Sequence, residues 1–290
     1  MTIATVGAAK ITRIEETYGF FFEAKQFFAD WRDEIVAEHM SWMVPDHYDP
    51  KSGYLKLSIH SWLIEIAGKK ILIDTCIGNH KSRKQRPFWD NLDTPYIEKL
   101  AAAGAKPEDI DMEMCTHLHV DHVGWNTRLE NGRWVPTFPR ARYLFARREW
   151  EHWTAENEEG TQRIMADSVA PVLDAGLAEL VDMDHRVIDE IRLEPTPGHT
   201  PGHVSVRLAS GGADAVITGD LMHHPVQVAE PTWQTPFDSD PAAATATRRA
   251  FCARYADGPV TVLGTHFHHP TAGRIVSHRD AWRFTADGTR

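Results

Sequence analysis

The chain has 290 residues, 42% hydrophobic and 25% charged, which suits a globular protein with a sizeable core. A formal charge of −10 excludes nucleic acid as the main partner, because phosphate binding needs Lys and Arg in excess. No stretch approaches the ~20 apolar residues that span a bilayer, so no membrane partner is expected, and three scattered cysteines exclude a disulfide framework.

Met1 to Thr5 shows no basic region leading into an apolar run, so no secretory signal is expected and the cytoplasm is the expected compartment. Residues 1–55 read as an irregular, aromatic-rich N-terminal extension to a single domain over 1–290, packed near the mouth of the site. Phe27, Phe28, Trp31 and Ile35 recur at helical spacing and predict a helix over 23–38. Phe20, Phe21 and Phe22 precede it as an apolar wall, over a pocket or a subunit contact.

Two apolar runs, Ile59 to Ile66 and Ile71 to Asp74, flank Ala67-Gly68-Lys69-Lys70 and predict a hairpin. Asp74 at its end is placed to brace a metal-ligating histidine or to form a simple turn. A helix over Thr94 to Gly104 and a short strand over Met112 to Cys115 complete a βαβ rhythm. Residues 126–139 read as a loop. Ala141 to Phe145 reads as a strand, Arg147 to Thr154 and Gly160 to Gly176 as helices, and Leu177 to Met183 and Ile191 to Pro195 as strands. Thr196 to His203 is a Gly- and Pro-rich turn. Strands follow at Val204 to Leu208, Ala215 to Asp220, Pro259 to His266 and Gly273 to Val276, with a helix over Asp240 to Tyr255.

The short strand at Met112 delivers Thr116-His117-Leu118-His119-Val120-Asp121-His122-Val123-Gly124, four ligand-type side chains in six positions. Imidazole nitrogens and carboxylate oxygens suit zinc-like divalent ions. His117 and His119 share one side of an extended segment, and a turn can aim Asp121 and His122 at a second point. His199, Asp220 and His266 each follow a predicted strand, as His117 does. On that reading His117, His119 and His199 serve one ion, Asp121, His122 and His266 another, and Asp220 bridges them. Two divalent ions are therefore the expected cofactors. Zinc is the default, with manganese, iron and cobalt also compatible. A hydroxide held between two such ions is a strong nucleophile at neutral pH.

These residues carry a resemblance. THLHVDHVG resembles the HxHxDH signature of the metallo-β-lactamase-fold hydrolases. Asp74 in Ile73-Asp74-Thr75, His199 in Pro197-Gly198-His199, Asp220 in Thr218-Gly219-Asp220 and His266 in Gly264-Thr265-His266 match its other motifs in order. The resemblance covers roughly 55–280. It implies an α/β (α+β) fold, the αββα sandwich: two mixed β-sheets face to face, helices outside, and a dinuclear site at one sheet edge. His203 corresponds to a structural residue of the family's turn and is left out of the site.

Within the family the chain is most similar to the lactonase, arylesterase and methyl parathion hydrolase branch. Gly219-Asp220-Leu221-Met222-His223 resembles the latter. Quorum-quenching lactonases commonly carry a Tyr shortly after the bridging Asp, where this chain has Met222 and His223. Catalytic roles are expected for Asp121 and Asp220 in proton movement. His223 is expected to stabilise an oxyanion or protonate the leaving oxygen, or else to be a buried structural residue. Phe20, Phe21, Phe22, Trp125, Met222, Trp233, Phe267 and His268 are candidates for an aromatic substrate pocket. Such a pocket suits a small hydrophobic ester or lactone, with an aryl phosphotriester as the alternative. A non-hydrolytic diiron redox protein of the same fold ranks lower. A homodimer is left open.

Overall fold

The computed structural model describes residues 2–286, without the side chains of Thr2, Ile3 and Phe20; the Phe20 pocket expectation therefore lies outside the described side chains. The chain divides into two compact units. One comprises Met1–Thr17 and Ile59–His185, the other Tyr18–Ser58 and Arg186–Arg290. No helix among the described residues is long and apolar enough to cross a membrane.

The first unit is built on one mixed sheet. Its strands lie in the order Thr2–Val6, Ala9–Glu23, Tyr54–Ile66, Lys69–Ile73, Met112–Met114, Arg142–Ala146 and Ala178–Val181. The second and third of these run on in sequence into the other unit. The predicted hairpin is present, with Ile64 opposite Ile71. So is the βαβ unit: Ile73 pairs in parallel with Met114, and the helix Tyr96–Ala102 lies between them in sequence. Met114 pairs in parallel with Leu144 in turn. The carboxyl ends of these strands are where Asp74 and the histidine loop leave the sheet.

The second unit carries a six-stranded sheet in the order Ile191–Pro195, Val204–Ser210, Ala213–Ile217, Val260–Leu263, Ala272–His278 and Ala281–Ala286. Only Ala213–Ile217 and Val260–Leu263 pair in parallel. The helix Pro241–Tyr255 starts as expected, with Pro241 in its first turn and Asp240 accepting the Ala243 N–H at 3.0 Å. Two mixed sheets with helices match the expected fold class.

Four local expectations are corrected. Residues 9–23 are a long strand and not irregular. Their alternation is masked because Thr12, Arg13 and Glu16 are buried polar residues. Glu16 accepts the N–H groups of Ile77 and Gly78 and the Trp125 indole, so polarity here marks a bonding network and not solvent. The helix over 23–38 is broken into Ala24–Phe27 and Asp33–Met43. Phe28 and Arg32 are extended, which lets Phe28 and Trp31 pack on Trp233. The loop over 126–139 contains a hairpin, Thr127–Glu130 with Arg133–Pro136. Its turn is Asn131-Gly132 with φ of 50° and 77°, the left-handed pair that two-residue hairpins favour. A last strand, Ala281–Ala286, pairs with Ala272–His278 and was not expected.

Candidate metal centre

In the first unit the histidine loop is tied down at both ends. Asp74, fully buried, accepts the Thr116 N–H at 2.7 Å with Oδ1, while its Oδ2 lies 3.0 Å from His122 Nδ1. Asp74 thus lies directly behind the His122 ring. The loop is zipped to residues 75–76 by Thr75 N–H to His122 O, Gly124 N–H to Cys76 O and Trp125 N–H to Thr75 O, each at 2.7 Å. Gly124 is required here, since a Cβ would sit 1.9 Å from the Ile77 carbonyl carbon. His117 Nε2 and His119 Nδ1 lie 3.0 Å apart. Asp121 Oδ1 lies 3.8 Å from His122 Nε2. The loop therefore presents three imidazoles and a carboxylate from one rigid turn.

In the second unit the strand ends supply the donors. Ile217 and Leu263 are register partners, and Asp220 and His266 each follow by three residues. His266 Nε2 lies 3.0 Å from Asp220 Oδ1. His199 Nε2 and His223 Nε2 lie 3.4 and 3.2 Å from Asp220 Oδ2. His203, read as structural, accepts the Asp220 N–H at 2.9 Å while its Nδ1 faces the Thr196 carbonyl at 3.0 Å.

Acceptors behind the rings decide the tautomers. His266 Nδ1 is 3.0 Å from the Ser58 carbonyl and His199 Nδ1 is 3.0 Å from Asp238 Oδ1. Neither acceptor has a proton to give, so each neutral ring carries its hydrogen on Nδ1 and turns an Nε2 lone pair outward. Those lone pairs then face the oxygens of the Asp220 carboxylate. Acceptors so close repel unless a cation sits among them, and imidazole with carboxylate is a donor set that zinc-like ions take. The residues fit a metal.

Asp238, which the sequence reading does not single out, stands directly behind the His199 ring. Burial pushes its carboxyl up, but the His199 hydrogen bond and the Arg248 guanidinium bring it below the usual range. Arg248 lies behind it at 3.6 Å, itself buried. No local motif marks Asp238. Glu149, also missed, is fully buried and accepts the Leu118 N–H at 3.1 Å and the Trp153 indole at 2.7 Å.

The pocket candidates disperse. Trp125 is buried in the first unit, donating to Glu16 at 2.6 Å and stacked on Tyr96. Met222 and Phe267 share one core cluster of the second unit, and Trp233 sits in another, where Phe21 and Phe22 pack at the margin. Phe22 contacts Phe27 and Phe237, and both of those rings approach His223. His268 packs on Tyr18. His223 is buried, which lowers its pKa and favours the neutral ring.

Residues 55–254 match the family model described as the metallo-beta-lactamase superfamily. An N-acyl homoserine lactonase of Bacillus cereus is 24% identical over 174 residues, 56% of this chain and 63% of that protein. The chain thus aligns with less than two thirds of that relative's length. The N-acyl homoserine lactonase AttM of Azorhizobium caulinodans is 29% identical over 133 residues, 43% of this chain and 47% of that protein. Among solved structures, hydrolase AbOPH in the beta lactamase superfamily superposes with a TM-score of 0.81 at 25% identity, covering 99% of this chain and 97% of that one. AidC, a dizinc quorum-quenching lactonase, has a TM-score of 0.79 at 22% identity with the same coverage, a likeness of fold.

Proposed function

Because the chain belongs to the metallo-beta-lactamase superfamily, we propose that it is a dinuclear metal-dependent hydrolase of carboxylic esters or lactones. The observation that carries this reading is the pair of Nε2 atoms, of His199 and His266, turned to the Asp220 carboxylate at 3.4 and 3.0 Å. By the order of the family's motifs in the sequence, His117, His119 and His199 would hold one ion and Asp121, His122 and His266 the other, with Asp220 shared. When bound, the ions supply an acidified water as nucleophile and polarise the ester oxygen. Zinc is the default for such donors, and the AidC likeness fits that choice.

The chain's own residues supply the rest. Asp238 and the Ser58 carbonyl hold the His199 and His266 tautomers, and Asp74 orients His122. Asp121 and Asp220 are the carboxylates available to move the proton lost by water. His223, neutral and close to Asp220, donates a hydrogen bond to the oxygen that gains charge. The rings of Phe27 and Phe237 keep water from His223. The relatives' names favour a lactone among ester substrates. Aryl phosphotriester hydrolysis is the second reading, favoured by the Gly219 to His223 segment.

The test is metal analysis joined to a panel of p-nitrophenyl esters, lactones and organophosphates. We expect two equivalents of metal per chain and cleavage that a chelator abolishes and added metal restores. Full activity after complete metal removal overturns the reading.

A further inference from the structure

The exit of the histidine loop leans on a carboxylate from outside the stretch that matches the family model. Glu16 lies on the strand Ala9–Glu23, upstream of residues 55–254, and is buried. Among the described residues four donors converge on it. Its Oε2 accepts the Ile77 N–H at 2.7 Å. Its Oε1 accepts the Trp125 indole at 2.6 Å, the Thr94 hydroxyl at 3.1 Å and the Gly78 N–H at 3.2 Å. Glu16 and all four partners belong to the first unit.

Successive N–H groups turned to one point make an anion-binding concavity. Cys76 and Gly78 shape this one, with φ of 54° and 81°. The anion it holds is part of the chain itself. Burial raises the Glu16 pKa, and the donors oppose that rise. The two backbone N–H groups and the indole can only donate, so the ionised carboxylate is the form that satisfies them.

The turn held in this way is the one against which the histidine loop closes. A Cβ on Gly78 would sit 2.7 Å from the Gly124 carbonyl carbon, so the two backbones touch. The Cys76 and Thr75 carbonyls accept the Gly124 and Trp125 N–H groups, and the His122 carbonyl accepts the Thr75 N–H. Trp125 then returns to Glu16 through its indole. Glu16 closes a ring of bonds that runs from residues 75–78 through His122 to Trp125 and back.

We infer that Glu16 is a positioning residue for the metal loop: its carboxylate locks residues 75–78 to Trp125 and so holds Asp121 and His122 in place for their ion. The inference rests on the dinuclear reading above and adds a residue of the N-terminal strand to it. Glu16 acts through Ile77, Gly78 and Trp125, not by contact with the ion.

Competition for zinc between the zinc-loaded protein and a chromophoric chelator tests it. Glu16→Gln keeps the volume. With its amide oxygen in the place of Oε1, its NH2 group faces the Ile77 N–H and that bond is lost. We expect one of two zinc equivalents to bind about tenfold more weakly, the lower end for residues that orient ligands. Trp125→Phe keeps an aromatic ring against Tyr96 and removes the indole donor. It should weaken the same equivalent by about threefold, the worth of one hydrogen bond. The double variant should lose less than the product of the two, because both changes open the same ring of bonds. Wild-type zinc affinity in either single variant overturns the inference, as does a double variant that loses the full product. Should Glu16→Gln fail to fold, Trp125→Phe decides by itself. Two zinc ions held by a wild type that cleaves no ester or lactone overturn the hydrolase reading; weakened zinc binding in the variants then still supports the positioning role.

Discussion

The two units supply donors in different ways. In the first, four ligand-type side chains occupy one loop of six residues, and its braces, Asp74 and the backbone of Thr75 and Cys76, are one strand away. In the second, His199, Asp220 and His266 end separate segments. They depend on partners far along the chain: Ser58 for His266 and Asp238 for His199. A loop of the first kind is set by local backbone bonds and keeps its shape when one ligand side chain changes. A set of the second kind exists only while the sheet register holds Ile217 against Leu263. Asp220 is the residue on which this distributed set converges.

The largest effect is therefore expected at Asp220. Asp220→Asn keeps the volume and removes the charge that His199, His223 and His266 all face. Ester hydrolysis should fall by more than about a hundredfold, the upper end for residues that only orient ligands. Metal content, read by elemental analysis, should fall with it. Wild-type activity with full metal content in this variant would remove Asp220 from the site.

A smaller effect separates the two kinds of bracing. Asp238→Asn should weaken metal binding by about 10–100-fold, because the amide holds the His199 ring less firmly in its tautomer. Asp74→Asn should do the same for the ion served by His122. Equilibrium dialysis against zinc would show one of two equivalents weakened in each variant. Equal loss of both ions in either variant would mean that His199 and His122 do not serve separate ions.

This contrast also explains what was legible. The loop is legible because its candidate ligands are adjacent. The three distant candidates share a position after strands and match family motifs, and within the second unit His199 and His266 both face Asp220. Asp238 had no such signal: its role comes from a turn that returns to His199 across 39 positions. Buried polar residues mask the strand over Ala9–Glu23, whereas the hairpin at Asn131-Gly132 carries a turn signal in its sequence. Pocket residues were the least legible. Proximity in sequence to a ligand does not say which way a side chain turns, and Met222 and Phe267 turn into the core.

The smallest effect concerns the ground on which the loop's unit stands. Lys81 is fully buried, with Nζ donating to Thr127 Oγ1 at 2.7 Å and to the Asp167 carbonyl at 2.8 Å. Burial lowers its pKa from 10.5 to about 7, against the opposing pull of Asp167. Below about 7 the folded and unfolded chains are both protonated here, and folding bears the full cost of the buried charge. Between about 7 and 10.5 the unfolded chain holds a proton that the folded chain has released, so stability rises with pH. One such proton contributes at most about 1.4 kcal/mol per pH unit. Urea unfolding of wild type and Lys81→Met at stepped pH should show the wild type gaining on the variant across this window, since other titrating groups cancel in the difference. Parallel curves would mean that Lys81 keeps its proton in the fold, and that the first unit tolerates a buried ammonium as readily as its loop tolerates clustered histidines.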